Sequence, residues 1–196
     1  MTKWRAYILS GGRSSRFGSD KARAAVEGRP LISRVAESLQ PVSHSVVVVA
    51  DEADKYDDLS LTTIADPVSH LGPLGGLQTA LAHLLSNRGE GWLLLAACDH
   101  TEIRTGWIAQ LAATPTDSCQ CVAFYDSAWQ PFPGLYHTSL LPPIEKLFTA
   151  GRRSIQALLD STDALSVPLP DDWPSIAQIN TVDQWRQVVG GRMPES

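Results

Sequence analysis

Hydrophobic positions along the chain alternate between two rhythms. Short continuous apolar runs read as strands, and runs with apolar residues three and four apart read as helices. Trp4 to Ser10 predicts a buried strand, followed by a polar, Gly-rich stretch from Gly11 to Ser19. Arg29-Pro30-Leu31 opens a helix to about Gln40, with Pro30 suited to a first turn. Ser45 to Ala50 carries four consecutive valines, which suit a strand covered on both faces. Leu61 to Ala65 is a shorter strand, broken by Asp66-Pro67. Gly72-Pro73-Leu74-Gly75-Gly76 reads as a tight turn, and Leu77, Leu81, Leu84 and Leu85 then form a helical stripe. Trp92 to Cys98 is again continuously apolar and stops at Asp99.

The same reading carries on to the C-terminus. Thr105 to Ala113 predicts a helix, and Gln120 to Tyr125 and Phe132 to Tyr136 predict strands. Pro142-Pro143 starts a helix to about Thr149, and Ser154 starts another. Leu165 to Leu169 and Ile176 to Ile179 are short strand candidates, and Asn180-Thr181 caps a last helix through Val189. Alternating strands and helices with buried strands predict an α/β fold of three layers around a mostly parallel sheet. No repeat or linker divides the chain, so residues 1–196 are expected to form a single domain. In such sheets ligands bind beyond the carboxyl ends of the strands. That rule selects the loop after Ser10, the loop after Ala65, and Asp99.

Composition narrows the classes. With 43% hydrophobic and 19% charged residues, the chain can bury a core. Sixteen Lys and Arg against twenty-one Asp and Glu give a net charge of −5, which argues against a nucleic-acid binder. No apolar run is long enough to span a membrane, and the N-terminus lacks the apolar stretch of a signal peptide. Three cysteines without metal-like spacing suit reduced thiols and a cytoplasmic protein.

The loop after the first strand holds the densest chemistry: Leu9-Ser10-Gly11-Gly12-Arg13-Ser14-Ser15-Arg16-Phe17-Gly18-Ser19-Asp20-Lys21. Glycines let the backbone approach a ligand closely, and successive N–H groups can form an anion nest. Arg13, Arg16 and Lys21 add cations for a polyphosphate. Two glycines alone would mark only a surface turn; the whole string after a buried strand points to a phosphate loop. Its spacing matches neither the Walker loop nor the dinucleotide fingerprint.

The string resembles L-x-G-G-x-S-x-R-[MF]-G-x-D-K, the signature of molybdenum cofactor guanylyltransferases, at every specified position. Later segments are similar in order: Asp66-Pro67 before Gly72-Pro73-Leu74-Gly75-Gly76, Ala97-Cys98-Asp99, Gln130-Pro131-Phe132 with Leu135-Tyr136, Gly151-Arg152-Arg153-Ser154, and Ile179-Asn180-Thr181. The resemblance implies a Rossmann-like nucleotidyltransferase fold, GTP and molybdopterin as substrates, and Mg²⁺. It also implies other cofactor-biosynthesis or molybdoenzyme-maturation proteins as partners. By position, Leu9, Ser10, Gly11, Gly12, Lys21, Asp51, Asp66 and Asp99 would bind the nucleotide. Asp99 would also hold the metal, and Arg16 would join Lys21 and Asp99 as a phosphate clamp. The nucleotide part would span about 1–115 and the cofactor part about 120–190, with Gln130, Arg152, Arg153 and Asn180 toward molybdopterin. The chain departs from the family where His100-Thr101 stands in place of a Pro two after the Asp, and where Gln178 and Val182 replace the usual Asn and Pro.

The remaining residues weigh in by elimination. Mg²⁺ uses few protein carboxylates and takes waters and phosphate oxygens for the rest, so Asp99 alone is enough. Asp66 before Pro67 is as well suited to a helix cap or Asx-turn as to a ligand. Histidines 44, 70, 83, 100 and 137 show no metal-ligand spacing, and only His100 is expected near the site. Cys98 is expected to be a small core residue, and Cys119 and Cys121, two apart in a strand, to face one way. Trp129 is a possible wall of a pterin pocket. Three other readings stay open: a cytidylyltransferase, whose sister motif has A-A-G where this chain has Ser10-Gly11-Gly12; a sugar-1-phosphate nucleotidyltransferase; and a non-catalytic nucleotide-binding paralogue.

Overall fold

The computed structural model describes residues 3–10, 20–67, 71–114, 119–179 and 181–190. Seven strands form one sheet in the order β5-β4-β1-β6-β8-β7-β9. They are β1 (Trp4–Ser10), β4 (Ser43–Ala50), β5 (Thr63–Ala65), β6 (Trp92–Ala97), β7 (Cys121–Tyr125), β8 (Trp129–His137) and β9 (Ala164–Pro168). A two-stranded ribbon, β2 (Ala25–Val26) with β3 (Arg29–Pro30), lies apart from it. All pairings in the large sheet are parallel except those of β8, which runs against both β6 and β7.

Side-chain alternation sorts the core into two layers. Ala6, Ile8, Val48, Leu94 and Ala96 face helices α1 (Leu31–Leu39) and α3 (Thr105–Ala112). Tyr7, Leu9, Val49, Leu93 and Leu95 face α2 (Gly72–Arg88), α4 (Leu141–Thr149) and α5 (Ile155–Leu159). This is the expected three-layer arrangement. The last helix, α6 (Val182–Gly190), sets Trp185 and Val188 against a small cluster of Val26, Leu31 and Ile179. Its entry is a capping box: Thr181 Oγ1 accepts from the Gln184 amide, and Gln184 Oε1 accepts from the Thr181 amide. No helix among the described residues is long and apolar enough to cross a membrane.

Four local expectations are corrected. Gly72–Gly76 is not a tight turn but the start of α2. Gly72 enters with φ of 67° and Pro73 follows within the first turn, where its missing N–H costs nothing. Gly76 is there for packing: a Cβ would sit 3.0 Å from Leu9 Cδ2, so glycine lets the helix approach β1. Leu85 lies outside the buried stripe of Leu77, Leu81 and Leu84 and is 38% exposed. Ile176–Ile179 makes a single bridge, His100 to Gln178, and no strand. Cys119 and Cys121 belong to opposite core layers, because β7 starts only at Cys121 and the strand period does not reach back to Cys119.

The register fixes where the site must be. Leu9 pairs with Val49 and with Ala97, and Ala50 pairs with Ala65. Ser10, Asp51, Asp66 and Cys98-Asp99 therefore leave the sheet at one edge. Because β8 is antiparallel, with Gly134 opposite Leu95, its first residues, Trp129 and Gln130, reach the same edge.

Candidate functional site

Lys21 and Asp99, 78 residues apart in sequence, meet at that edge. Lys21 Nζ donates to Asp99 Oδ2 at 2.8 Å, and both side chains are about five-sixths buried, at 16% and 17% exposure. Lys21 is carried on a single 3-10 turn, Lys21–Arg23, whose first amides are held by Asp20: its Oδ1 accepts from the Ala22 amide at 3.0 Å. Asp99 is carried by the end of β6, anchored where the Cys98 amide donates to the Leu9 carbonyl. The second carboxylate oxygen, Asp99 Oδ1, is buried and has no hydrogen-bond partner. An orphaned carboxylate oxygen beside an ammonium is a place that a hard cation fits. Among the described residues no group of three His, Cys, Asp or Glu forms a closed metal cage. The donor set thus suits a cation that takes its remaining ligands from water and phosphate.

Leu9 and Ser10 approach the same point differently. The Leu9 side chain is core, packed against Gly76, so only its backbone faces the edge. Ser10 is buried and its Oγ lies 2.5 Å from the Tyr56 hydroxyl. Tyr56 in turn donates to Asp20 Oδ2 at 2.9 Å. Gly11, Gly12, Arg13 and Arg16 lie outside the described residues.

Asp51 and Asp66 occupy the neighbouring strand ends. Asp51 is half exposed and accepts from Lys55 Nζ at 2.7 Å; that hydrogen bond holds its carboxyl below the usual range. The Asp66 amide closes onto the Ala50 carbonyl, and its Oδ1 accepts from Thr79 Oγ1 at 3.0 Å, which ties β5 to α2.

The second group of expected residues is not knit together in this way. Gln130 lines a cavity of about 510 Å³ with Leu169, Trp173, Ile176, Gln178 and Gln184. Trp173, and not Trp129, is the tryptophan of this wall. Trp129 donates to Asp160 Oδ1 at 3.0 Å and stacks edge-on against Tyr125. Arg152 and Arg153 are exposed in the α4–α5 connection, where the Arg153 carbonyl lies 3.6 Å from a Cβ placed on Gly72. Arg153 therefore lies beside the start of α2. Asn180 lies outside the described residues.

The His100-Thr101 departure has a structural role. His100 is buried, and its Nε2 meets Gln178 Nε2 at 3.1 Å. Burial pushes its pKa down to about 4, so the ring is neutral near pH 7. The Ile179 amide donates to the Asp99 carbonyl and the Thr101 amide to the Ala177 carbonyl. This clasp brings the cavity wall against the strand end that carries Asp99. Burial also pushes the Cys98 thiol up to about 12, which leaves it protonated and unsuited to nucleophilic attack. Tyr56, Trp173 and Gln178 escaped the sequence reading. Only Gln178, as a departure from the family pattern, carried any signal.

The model of the MobA-like NTP transferase domain matches residues 6–165. A probable molybdenum cofactor guanylyltransferase of Synechococcus elongatus is 33% identical over 192 residues, covering 92% of this chain and 95% of the relative. A probable molybdenum cofactor guanylyltransferase of Deinococcus radiodurans is 35% identical over 153 residues, covering 77% and 76%. The crystal structure of molybdopterin-guanine dinucleotide biosynthesis protein A from Archaeoglobus fulgidus superposes with a TM-score of 0.77 over 95% of this chain and 97% of that one, at 22% identity.

Proposed function

The chain belongs to the MobA-like NTP transferase family, and on that premise we propose that it is a molybdenum cofactor guanylyltransferase. It moves GMP from GTP to the terminal phosphate of molybdopterin and releases pyrophosphate. The names of the Synechococcus and Deinococcus relatives support this activity. The observation that carries it is the largely buried Lys21–Asp99 pair, with one carboxylate oxygen left open, at the carboxyl edge of the sheet.

The chemistry asks little of the protein beyond position and charge. An oxygen of the molybdopterin phosphate forms a bond to the α-phosphorus as the bond to the pyrophosphate oxygen breaks. No protein nucleophile takes part. Lys21 binds the triphosphate and offsets charge that builds on the departing oxygens. Asp99 Oδ2 aims the ammonium, and its Oδ1 would hold Mg²⁺, which supplies further neutralisation of the phosphates. Gly11, Gly12 and Arg16 are proposed for the same triphosphate, and Asp51 and Asp66 for the nucleoside. Gln130, Arg152, Arg153 and Asn180 are proposed for molybdopterin, with the Gln130–Trp173–Gln178 cavity as its pocket. Holding both polyanions in line converts an encounter of three bodies into a local displacement. The proposed compartment is the cytoplasm, which keeps the three unpaired thiols reduced.

Pyrophosphate release measured with molybdopterin and Mg²⁺, and with GTP and CTP in competition, tests the reading. A site that pairs the guanine edge should prefer GTP by at least about a hundredfold. Equal use of both nucleotides would remove guanylyl transfer, and preference for CTP would make the chain a cytidylyltransferase.

A further inference from the structure

Tyr56 is fully buried within a polar stretch, Asp51 to Ser60, of which the proposed function uses only Asp51. Phenylalanine would fill the same space, so the hydroxyl needs its own account. Burying a hydroxyl is unfavourable unless its hydrogen bonds are made. Here both sides are used. The Tyr56 hydroxyl donates to Asp20 Oδ2 at 2.9 Å, so its oxygen accepts from the Ser10 hydroxyl at 2.5 Å. Ser10 ends β1, where the Cys98 amide donates to the carbonyl of its neighbour Leu9 at 3.0 Å.

The ends of this chain of bonds are the sequence neighbours of the two site residues. Asp20 precedes Lys21, and Cys98 precedes Asp99. Through the Leu9–Cys98 backbone hydrogen bond, Ser10, Tyr56 and Asp20 therefore close a circuit with the Lys21–Asp99 ion pair. One link of the circuit is the reactive pair and the others are its frame. The surroundings hold the frame in turn: Lys55 Nζ is 3.5 Å from Asp20 Oδ2, and Arg23 lies over the Tyr56 ring at 5.2 Å.

We propose that Tyr56 is a positioning residue whose hydroxyl sets the Lys21 ammonium against Asp99 before any substrate arrives. It touches no reacting atom; it acts through Asp20 on one side and Ser10 on the other. The inference concerns the geometry of Lys21, and only its kinetic consequence rests on the guanylyl-transfer reading.

The test uses the purified full chain and three variants: Tyr56→Phe, Asp20→Asn and, as a control, Tyr7→Phe. Tyr7 is a buried tyrosine whose hydroxyl meets His83 Nδ1 at 2.8 Å, in the core layer on the other face of the sheet from Tyr56. Lysine acetylation by acetic anhydride, read by mass spectrometry, reports Lys21 without turnover. Tyr56→Phe and Asp20→Asn should each raise the Lys21 rate about tenfold, the scale of one lost hydrogen bond. Combining them should add little, since they break one circuit. Tyr7→Phe should leave Lys21 within about twofold of wild type, although it too loses a buried tyrosine's hydrogen bond. In turnover, Tyr56→Phe should raise KM for GTP about tenfold and leave KM for molybdopterin nearly unchanged. Unchanged Lys21 labelling in Tyr56→Phe and Asp20→Asn overturns the inference, as does an equal rise in Tyr7→Phe. A wild-type chain that does not turn over GTP removes the functional reading, while the labelling comparison still decides this one.

Discussion

The two halves of the proposed site are built on different plans. On the nucleotide side, each described ionisable group has a partner supplied by the fold: Lys21 with Asp99, Asp51 with Lys55, Asp66 with Thr79. On the cofactor side the polar groups wait. Arg152 and Arg153 are exposed and make no ion pair among the described residues, and Gln130 borders an open cavity. A pre-arranged cluster pays its ordering cost during folding, so less is lost when ligand binds. An exposed pair leaves that cost to the ligand. The comparison teaches that substitutions on the first side should act on chemistry, and those on the second on affinity.

The sharpest break comes from Asp99→Ala. It removes the proposed metal carboxylate and leaves the Lys21 ammonium without its 2.8 Å partner. Pyrophosphate release should fall by roughly a thousandfold, the scale of losing a central electrostatic group. Circular dichroism should stay native, since the residue follows the strand and is not part of its apolar core. Wild-type turnover at limiting Mg²⁺ would take Asp99 out of the mechanism. Lys21→Met ranks next, with a loss of about a hundredfold in kcat/KM for GTP. The double variant Lys21→Met/Asp99→Asn should fall well short of the product of the single losses, because each single change leaves the other charge largely buried and unpaired. Multiplicative losses would mean that the pair does not act as a unit.

How much of this was legible in sequence follows the same division. Strand ends are written locally: the valine run before Asp51 and the apolar run before Asp99 each mark a point on the edge. The phosphate string is local too, and it led to Lys21. Packing against another element is not local. Gly72–Gly76 looked like a turn because glycine serves both turns and close helix–strand approach, and only the Leu9 contact at Gly76 separates them. Tyr56 sits amid Asp, Glu and Lys, where nothing in the sequence announces contacts to residues 36 and 46 positions away. Ile176–Ile179 has strand composition but gains only one bridge, because the Ile179 amide and the Ala177 carbonyl bond to the backbone after β6.

On the cofactor side, replacing Arg152 and Arg153 together with Ala should weaken molybdopterin binding about tenfold, the scale of charged hydrogen bonds to phosphate. GTP binding should change by less than about twofold in the same titrations. The position of the Arg153 carbonyl beside Gly72 makes this the keenest test of the division, since the pair stands next to the start of α2. A loss of GTP binding with molybdopterin binding retained would move both arginines to the nucleotide side.

The smallest effect expected concerns the frame of the cavity. Asp172 accepts from Trp107 Nε1 at 2.7 Å and pairs with Arg104, next to Trp173 in the wall. Trp107 and Trp173 stack with centroids 4.8 Å apart, so Asp172 steadies the wall through both its neighbour and its partner. The Trp107 hydrogen bond, and then Arg104, hold the Asp172 carboxyl below its ordinary value. A carboxyl whose pKa is lower folded than unfolded adds stability above the unfolded value, near 3.9, and loses it as pH falls through the folded value. Asp172→Asn should therefore lower Tm by about 2 °C from pH 8 down to about pH 5, because the pair is exposed and screened. Between about pH 5 and pH 2 the gap between the two proteins should close, since the wild-type carboxyl is then protonated as well. Molybdopterin binding should follow the same trend weakly, and GTP binding should not follow it at all. A gap in Tm that widens on acidification would mean that the Asp172 charge opposes the native wall.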